Sequence, residues 1–384
     1  MSDNYPIAII GGGPAGAMAG EQLASAGRQV VVLDEHLAWE KPCGGGITPK
    51  TWLRYPFLAE AAVARNWVST CELISPAGRR VFLPFQQRIA VFSRRVLNGL
   101  MLDRARKAGA EIRRDRIVAV SGQPGEWKLR TRTDGEVTAA YLILACGARH
   151  SFHAQFTSRS AGAETMIAAG YYLSGSSDRM QIRFVQGLDG YIWTFPRSDH
   201  FSAGIAGKLK PGHTVAELRR HLDEFLRQEG FHADDAEFFA HIIPAPTIEG
   251  LERAHFCGDG WAAVGDAAGL VDPITGEGLY YAFRSAELAA EALLADRPES
   301  YRDLLSQELL PELTAAAGYV DRFYRGSLWG QPVLERMVQL VSESIRFREL
   351  ISDLFAGAQD YTTLRGRCYR QLLPVLWDTM AGYS

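Results

Sequence analysis

Residues 7–10 form an unbroken apolar run, residues 17–26 an Ala-rich stretch, and residues 30–33 a second apolar run. Short runs bounded by glycine predict buried parallel strands, and the Ala-rich stretch between them predicts a helix that Gly27 ends. Apolar residues at 96, 97, 100, 101 and 105 recur at helical spacing and predict a helix over 94–109. Before it, 68–85 reads as a hairpin turning at Ser75-Pro76-Ala77-Gly78; after it come strands near 111–120, 127–132 and 141–145. From about residue 163 the strands lengthen, at 166–173, 180–184, 191–195 and 201–206, with one helix over 214–229. A strand at 261–264 leads to an Ala-rich helix over 280–295, and residues beyond Pro311 read as helical.

This order predicts an α/β fold in which a Rossmann-like parallel sheet binds a nucleotide and an antiparallel sheet forms a substrate-binding cap (an α+β cap), followed by a C-terminal helical segment. The expected layout is discontinuous: 1–70, 90–160 and 250–310 for the nucleotide-binding domain, 71–89 and 161–249 for the cap, and 311–384 for the helices. A chain of 384 residues, 47% of them hydrophobic, is long enough to bury such a core.

The chemistry begins at the first turn. Gly11-Gly12-Gly13-Pro14-Ala15-Gly16 follows the first strand and opens the first helix, so Gly11, Gly13 and Gly16 complete G-x-G-x-x-G. Asp34-Glu35 closes the second strand, near the offset of about twenty residues expected of a ribose-binding acid. The pattern supplies a tight turn, close approach of a pyrophosphate, and a helix N-terminus aimed at the phosphates. A second element selects the dinucleotide. Gly265-Asp266 ends the 261–264 strand, and Gly276-Glu277-Gly278-Leu279 precedes the 280–295 helix. An Asp there can accept from ribityl hydroxyls, and the glycines let a helix start approach a flavin ring; a nicotinamide enzyme has no need of either. FAD is the predicted cofactor.

One short loop further on stands Lys41-Pro42-Cys43-Gly44-Gly45-Gly46. Its glycines offer backbone able to touch a flat ring, with one thiol beside it. A mobile loop with an incidental thiol fits these residues equally well. Tyr191, Trp193 and Phe195 alternate along a strand and share one face, as a core stripe or as an apolar wall for a substrate.

Together these residues resemble the geranylgeranyl reductase family of flavoproteins, within the wider aromatic-hydroxylase-like FAD superfamily. The resemblance rests on the Gly11–Gly16 fingerprint, Lys41-Pro42-Cys43-Gly44-Gly45-Gly46, Gly265-Asp266-Ala267-Ala268 with Gly276-Glu277-Gly278, and Tyr191-Ile192-Trp193-Thr194-Phe195-Pro196, which looks like the family's Tyr-x-Trp-x-Phe-Pro element. It implies a reductase that saturates isolated C=C bonds of a prenyl chain by hydride transfer from reduced flavin plus protonation. It also implies that Cys43 sits beside the ring as proton donor or gate, with Gly44 and Gly45 against the cofactor, and that Tyr191, Trp193 and Phe195 wall the substrate. Arg94 is implied at the FAD phosphates or ribose, with Arg95 as substitute. The implied substrate is a prenyl lipid or prenyl diphosphate; NADPH and a ferredoxin-like protein both stand open as electron donor. The chain departs from the flavin hydroxylases where their strand ends in Asp-Gly: here Cys146-Gly147 follows Ala145, and a small buried residue is the expected role of Cys146. A flavin monooxygenase or halogenase is the alternative activity, and a non-catalytic prenyl-binding escort is the third.

Several classes fall away. A formal net charge of -3 gives no support for nucleic-acid binding. Cys43, Cys71, Cys146, Cys257 and Cys368 are scattered, odd in number and without C-x-x-C spacing, which fits reduced cytoplasmic thiols. The nine histidines form no metal-ligand pattern, and no G-x-S-x-G elbow occurs. The first apolar run is strand-length and leads into the fingerprint, so no signal peptide is expected, and no apolar stretch approaches the roughly 18 residues of a membrane span. Arg336, Arg346, Arg348, Arg365, Arg367 and Arg370 alternate with apolar residues over 333–376, which reads as a solvated basic face or, secondarily, a peripheral membrane contact.

Overall fold

The computed structural model describes residues 3–148, 152, 155–157, 164–208 and 214–381. The chain divides into two compact units: Met1–Lys41, Arg94–Thr165 and Ile243–Thr314 form the first, and Pro42–Ser93, Met166–Ile242 and Ala315–Ser384 the second.

The first unit is built on a sheet ordered Cys257–Gly258, Trp261–Ala263, Glu136–Leu144, Asp3–Ile10, Val30–Leu33, Glu111–Arg113. The four pairings from Trp261–Ala263 to Glu111–Arg113 are parallel. All of 30–33 and all of 7–10 are buried, as a parallel sheet covered on both faces requires. Asp3–Ile10 lies between Glu136–Leu144 and Val30–Leu33, so connections leave it in opposite directions and open a crevice at its carboxyl end. The expected 111–120 strand is two elements. Glu111–Arg113 joins the parallel sheet, and Ile117–Gln123 pairs instead with Glu126–Thr131. Thr133 Oγ1 and the Arg116 amide both donate to Asp115 in the connecting turn.

The second unit holds a sheet ordered Phe238–Pro244, Thr165–Ser174, His200–Gly207, Gly190–Pro196, Arg179–Phe184, Asn66–Ile74, Arg80–Val91, Gly46–Ile47. From Thr165–Ser174 onward its pairings are antiparallel, except that Arg179–Phe184 runs parallel to Asn66–Ile74. One face packs Leu73, Leu83, Met180, Ile182 and Phe184 against Leu334, Met337, Val338 and Val341 of the helix Val333–Glu343. The other packs Tyr171, Ile192, Phe201 and Ile205 against Leu218, Leu222 and Phe225 of the helix Val215–Gln228, which opens on a Thr214–Glu217 capping box.

Apart from shifts of a few residues at the other boundaries, these units differ from the expected layout in two places. Residues 42–70 group with the second unit because Gly46–Ile47 pairs with Ala90–Val91 and Asn66–Ile74 with the strand Arg80–Val91. The C-terminal helices from Ala315 onward group there too, since their apolar faces complete the core of its sheet. The expected boundary at 160–161 lies outside the described residues.

Candidate functional site

In the first unit the Gly-rich turn is held by contacts that only glycine permits. Gly11 has φ +110°, and an added Cβ would stand 2.3 Å from the Ala145 carbonyl oxygen. A Cβ on Gly16 would meet the Gly11 carbonyl oxygen at 1.9 Å, so the helix packs on the turn too closely for any side chain there. Gly13 is different: nothing lies within 4 Å of its Cβ position, and it caps the helix Pro14–Ser25 without a side-chain hydrogen bond. Pro14 at the helix start has no N–H to leave unsatisfied. The second motif repeats the device. Gly278 caps the helix Leu279–Leu294, again without a side-chain bond, and the two helices pack on each other. Ala15 lies 3.2 Å from the Cβ position of Gly265, which has φ +57°.

The charged residues are placed around these turns. Asp34 Oδ2 accepts from the Gly12 amide at 2.7 Å, and Oδ1 accepts from His36 and Leu37 amides at 2.7 and 2.8 Å. Three of roughly four acceptor positions on the carboxylate therefore brace the turn, which leaves one for a ligand hydroxyl. Glu35 points elsewhere, into ion pairs with Arg116 and Arg132, both at 3.3 Å. Asp266 Oδ2 pairs with Lys41 Nζ at 3.0 Å, and its Oδ1 lies 3.2 Å from the Cβ position of Gly278. Asp272 folds the turn before Gly276 by accepting from the Ile274 amide at 2.8 Å and Thr275 Oγ1 at 2.7 Å. Leu279 is buried at the helix start.

Arg94 is buried while Arg95 is exposed. The Arg94 Nε is buried with no hydrogen-bond partner among the described residues, and Nη2 reaches Asn98 Oδ1 only at 3.5 Å. A buried guanidinium left this way suits an anion. The Arg94 amide donates to Glu40 Oε1 at 2.8 Å, so Glu40 caps the helix Arg94–Ala108; the sequence reading missed it because a loop Glu carries no local signal for a cap over fifty residues on. Desolvation, with a smaller push from Asp34, raises the Cys146 thiol to about 12, which keeps it neutral, although the residue is partly exposed rather than buried as expected. Among the described residues no cluster of His, Cys, Asp and Glu could hold a metal. Two mutually packed helices whose glycine N-caps make no side-chain hydrogen bond, an open glycine and an unsatisfied buried arginine fit a dinucleotide diphosphate.

In the second unit the Cys43 loop and the aromatic strand are assembled as one piece. An added Cβ on Gly44 would stand 2.5 Å from the Phe195 ring, and one on Gly46 3.3 Å from it. Gly45, at φ +84°, passes so close to Phe92 that a Cβ would lie 2.1 Å from its carbonyl oxygen. The Cys43 Sγ accepts from the Gly45 amide at 3.3 Å. Ser202 Oγ donates to the Cys43 carbonyl at 2.9 Å and accepts from Trp193 Nε1 at 3.3 Å. Trp193 is only 5% exposed and covers Gly204, whereas Tyr191 and Phe195 are partly exposed beside the core. The two motifs that carried the resemblance are thus in contact, although about 150 residues separate them.

Residues 5–166 match the pyridine nucleotide-disulphide oxidoreductase family. The chain is an FAD-dependent oxidoreductase. Among its relatives are proteins named geranylgeranyl reductases. It is 29% identical over 364 residues to the digeranylgeranylglycerophospholipid reductase of Methanoculleus marisnigri, covering 88% of this chain and 85% of that one. It is 27% identical over 308 residues to the geranylgeranyl diphosphate reductase of Rhodobacter capsulatus, covering 76% and 75%. A geranylgeranyl bacteriochlorophyll reductase-like protein from Thermoplasma acidophilum shares the fold at TM-score 0.77 and 20% identity, over 96% of this chain and 100% of that one. A flavin-dependent brominase shares it at TM-score 0.69 and 17% identity, over 96% and 98%.

Proposed function

We propose that the protein saturates isolated C=C bonds of a prenyl chain carried on a lipid or a diphosphate. The observation that carries this reading is the contact of Phe195 with Gly44 and Gly46, which joins the Cys-Gly-Gly-Gly loop to the aromatic strand; the named reductases among the relatives support it. FAD, when bound, supplies the hydride.

The remaining work falls to the chain. Gly11, Gly12, Gly13, Ala15 and Gly16 take the pyrophosphate at the helix that Pro14 starts, and Arg94 neutralises it. Asp34 offers its remaining acceptor position to the ribose, with Glu35 holding the neighbouring surface arginines. Asp266 accepts from the ribityl chain, while Gly276, Gly278 and Leu279 bring backbone to the isoalloxazine. Cys43 lies two residues beyond Lys41, the partner of Asp266, so its Cα is within about 7.6 Å of the Lys41 Cα whatever the loop does. That tether supports a thiol that gives its proton to the second alkene carbon or gates the ring, with Gly44 and Gly45 as the adjoining backbone. An isolated alkene has no carbonyl to polarise, so orientation and exclusion of water must lower the barrier. Tyr191 and Phe195 supply apolar surface for that purpose, and buried Trp193 braces the Cys43 loop through Ser202.

A peripheral membrane contact fits the same reading. Among the described residues no helix is long and apolar enough to cross a membrane. Arg346 pairs with Asp378 and Arg367 with Asp353, so they belong to the fold. Arg365 and Arg370 instead lie on the exposed face of the helix Tyr361–Ala381, beside Tyr369 at 63% and Leu373 at 76% exposure. The test is product mass. Dithionite-reduced protein incubated without oxygen should add two hydrogens per reduced bond to geranylgeranyl diphosphate or to a digeranylgeranyl glycerolipid. A product formed only with oxygen, carrying a hydroxyl or a halogen, would replace this reading with a monooxygenase or halogenase.

A further inference from the structure

Arg197 stands at the tip of the hairpin between Gly190–Pro196 and His200–Gly207, where its amide donates to the His200 carbonyl at 2.7 Å. A cation in a three-residue hairpin loop is ordinarily solvated. Arg197 is instead 0% exposed and heads the largest fully buried side chains of the protein. Burying a guanidinium is costly, and the cost is met only by directed hydrogen bonds and ring faces.

Its directions are specific. Nη2 donates to the Cys43 carbonyl oxygen at 2.7 Å, and the guanidinium lies 5.0 Å from the centre of the Tyr172 ring. Nη1 is 3.1 Å from His200 Nε2, while His200 Nδ1 is 2.7 Å from Asp199 Oδ1. Arginine can only donate, so His200 Nε2 accepts, and the proton on Nδ1 faces Asp199. Asp199 is 76% exposed, which leaves a chain from a surface carboxylate through imidazole and guanidinium to the backbone of the Cys43 loop. The Cys43 carbonyl takes a second donor from Ser202 Oγ at 2.9 Å, on the same hairpin. Gly45 passes over the guanidinium, its Cβ position 3.6 Å from Arg197 Nε. Two donors on one carbonyl orient the Cys43–Gly44 peptide, and with it the direction in which the thiol points.

We propose that Arg197 is a positioning residue for Cys43, with His200 and Asp199 fixing its guanidinium. The proposal rests on the role given above to Cys43, and its test reads the thiol without using a prenyl substrate. In FAD-loaded protein, iodoacetamide labelling of Cys43 and of Cys368, which is exposed, is followed by peptide mass. Arg197→Met keeps the volume and removes the donors. Cys43 should then react about tenfold faster or more, as expected for loss of a charge-assisted hydrogen bond, with Cys368 unchanged and FAD retained. In alkene reduction the same variant should lower kcat and leave KM near wild type, and Arg197→Lys, with one donor in reach, should recover part of both effects. Wild-type Cys43 labelling and kcat in folded Arg197→Met overturn the proposal. Should Arg197→Met not accumulate, Arg197→Lys and His200→Leu carry the test: faster Cys43 labelling in both supports it, and wild-type labelling in either overturns it. If Cys43→Ala keeps full alkene reduction, the catalytic use of Cys43 fails while the labelling result on Arg197 stands by itself.

Discussion

Gly13 and Gly16 sit three residues apart in one motif and should fail differently when changed. Nothing lies within 4 Å of the Gly13 Cβ position, so Gly13→Val should fold with a melting temperature near wild type and purify without FAD. Gly16→Val should lose stability itself, because its Cβ would stand 1.9 Å from the Gly11 carbonyl oxygen. Flavin content and thermal unfolding, read together, check the pair; stoichiometric FAD in Gly13→Val would remove the pyrophosphate assignment. Trp193 belongs with the stability class. Its ring is buried over Gly204, so Trp193→Ala should cost roughly 3–5 kcal/mol in denaturant unfolding. Trp193→Phe should retain most of that and lose the hydrogen bond to Ser202. Sequence pattern correctly put Tyr191, Trp193 and Phe195 on one face, but period-two alternation cannot say which of them is covered. Neither could it show that Arg197, at a turn, is interior, or that Glu35 is spent on Arg116 and Arg132.

Local signals located most elements: the strand, glycine turn and helix at residues 3–25, and the helix Val215–Gln228 with its capping box, all have short-range causes. The sheet memberships do not. The parallel register of Arg179–Phe184 on Asn66–Ile74 joins segments over a hundred residues apart and leaves no trace in either one's periodicity. Beside that pairing, the helix Val215–Gln228 ends at Glu229, a carboxylate at the helix end that least favours it. It is stabilised from outside: Arg80 pairs with it, and Gln181 Nε2 donates to Glu229 Oε2 at 2.9 Å and to Glu72 Oε2 at 2.9 Å. Burial pushes the Glu229 pKa up, but the hydrogen bonds from Arg80 and Gln181 outweigh it and leave it below the ordinary 4.5. A depressed folded value means the contribution is complete above about 4.5 and disappears as pH falls through the folded value. The melting-temperature gap between wild type and Glu229→Gln should therefore be widest near neutral pH and close in acid. A gap that is constant from neutral pH into acid would show that Glu229 acts through packing rather than charge.

For the whole molecule, the proposed activity passes electrons held by the flavin to a prenyl double bond with no oxygen involved. FAD binding was legible from the two glycine motifs, whereas the substrate class rests on the Cys43 loop and the aromatic strand that holds it. The most direct measurement is flavin reoxidation under strict anaerobiosis. Photoreduced, FAD-loaded protein is mixed with geranylgeranyl diphosphate or a digeranylgeranyl glycerolipid, and the flavin spectrum is followed alongside product mass. The oxidised spectrum should return on addition of one of these substrates, with one bond saturated per flavin reoxidised, and Cys43→Ala should retain FAD but lose most of this reaction. A flavin that stays reduced with both substrates until oxygen is admitted would contradict the proposed activity.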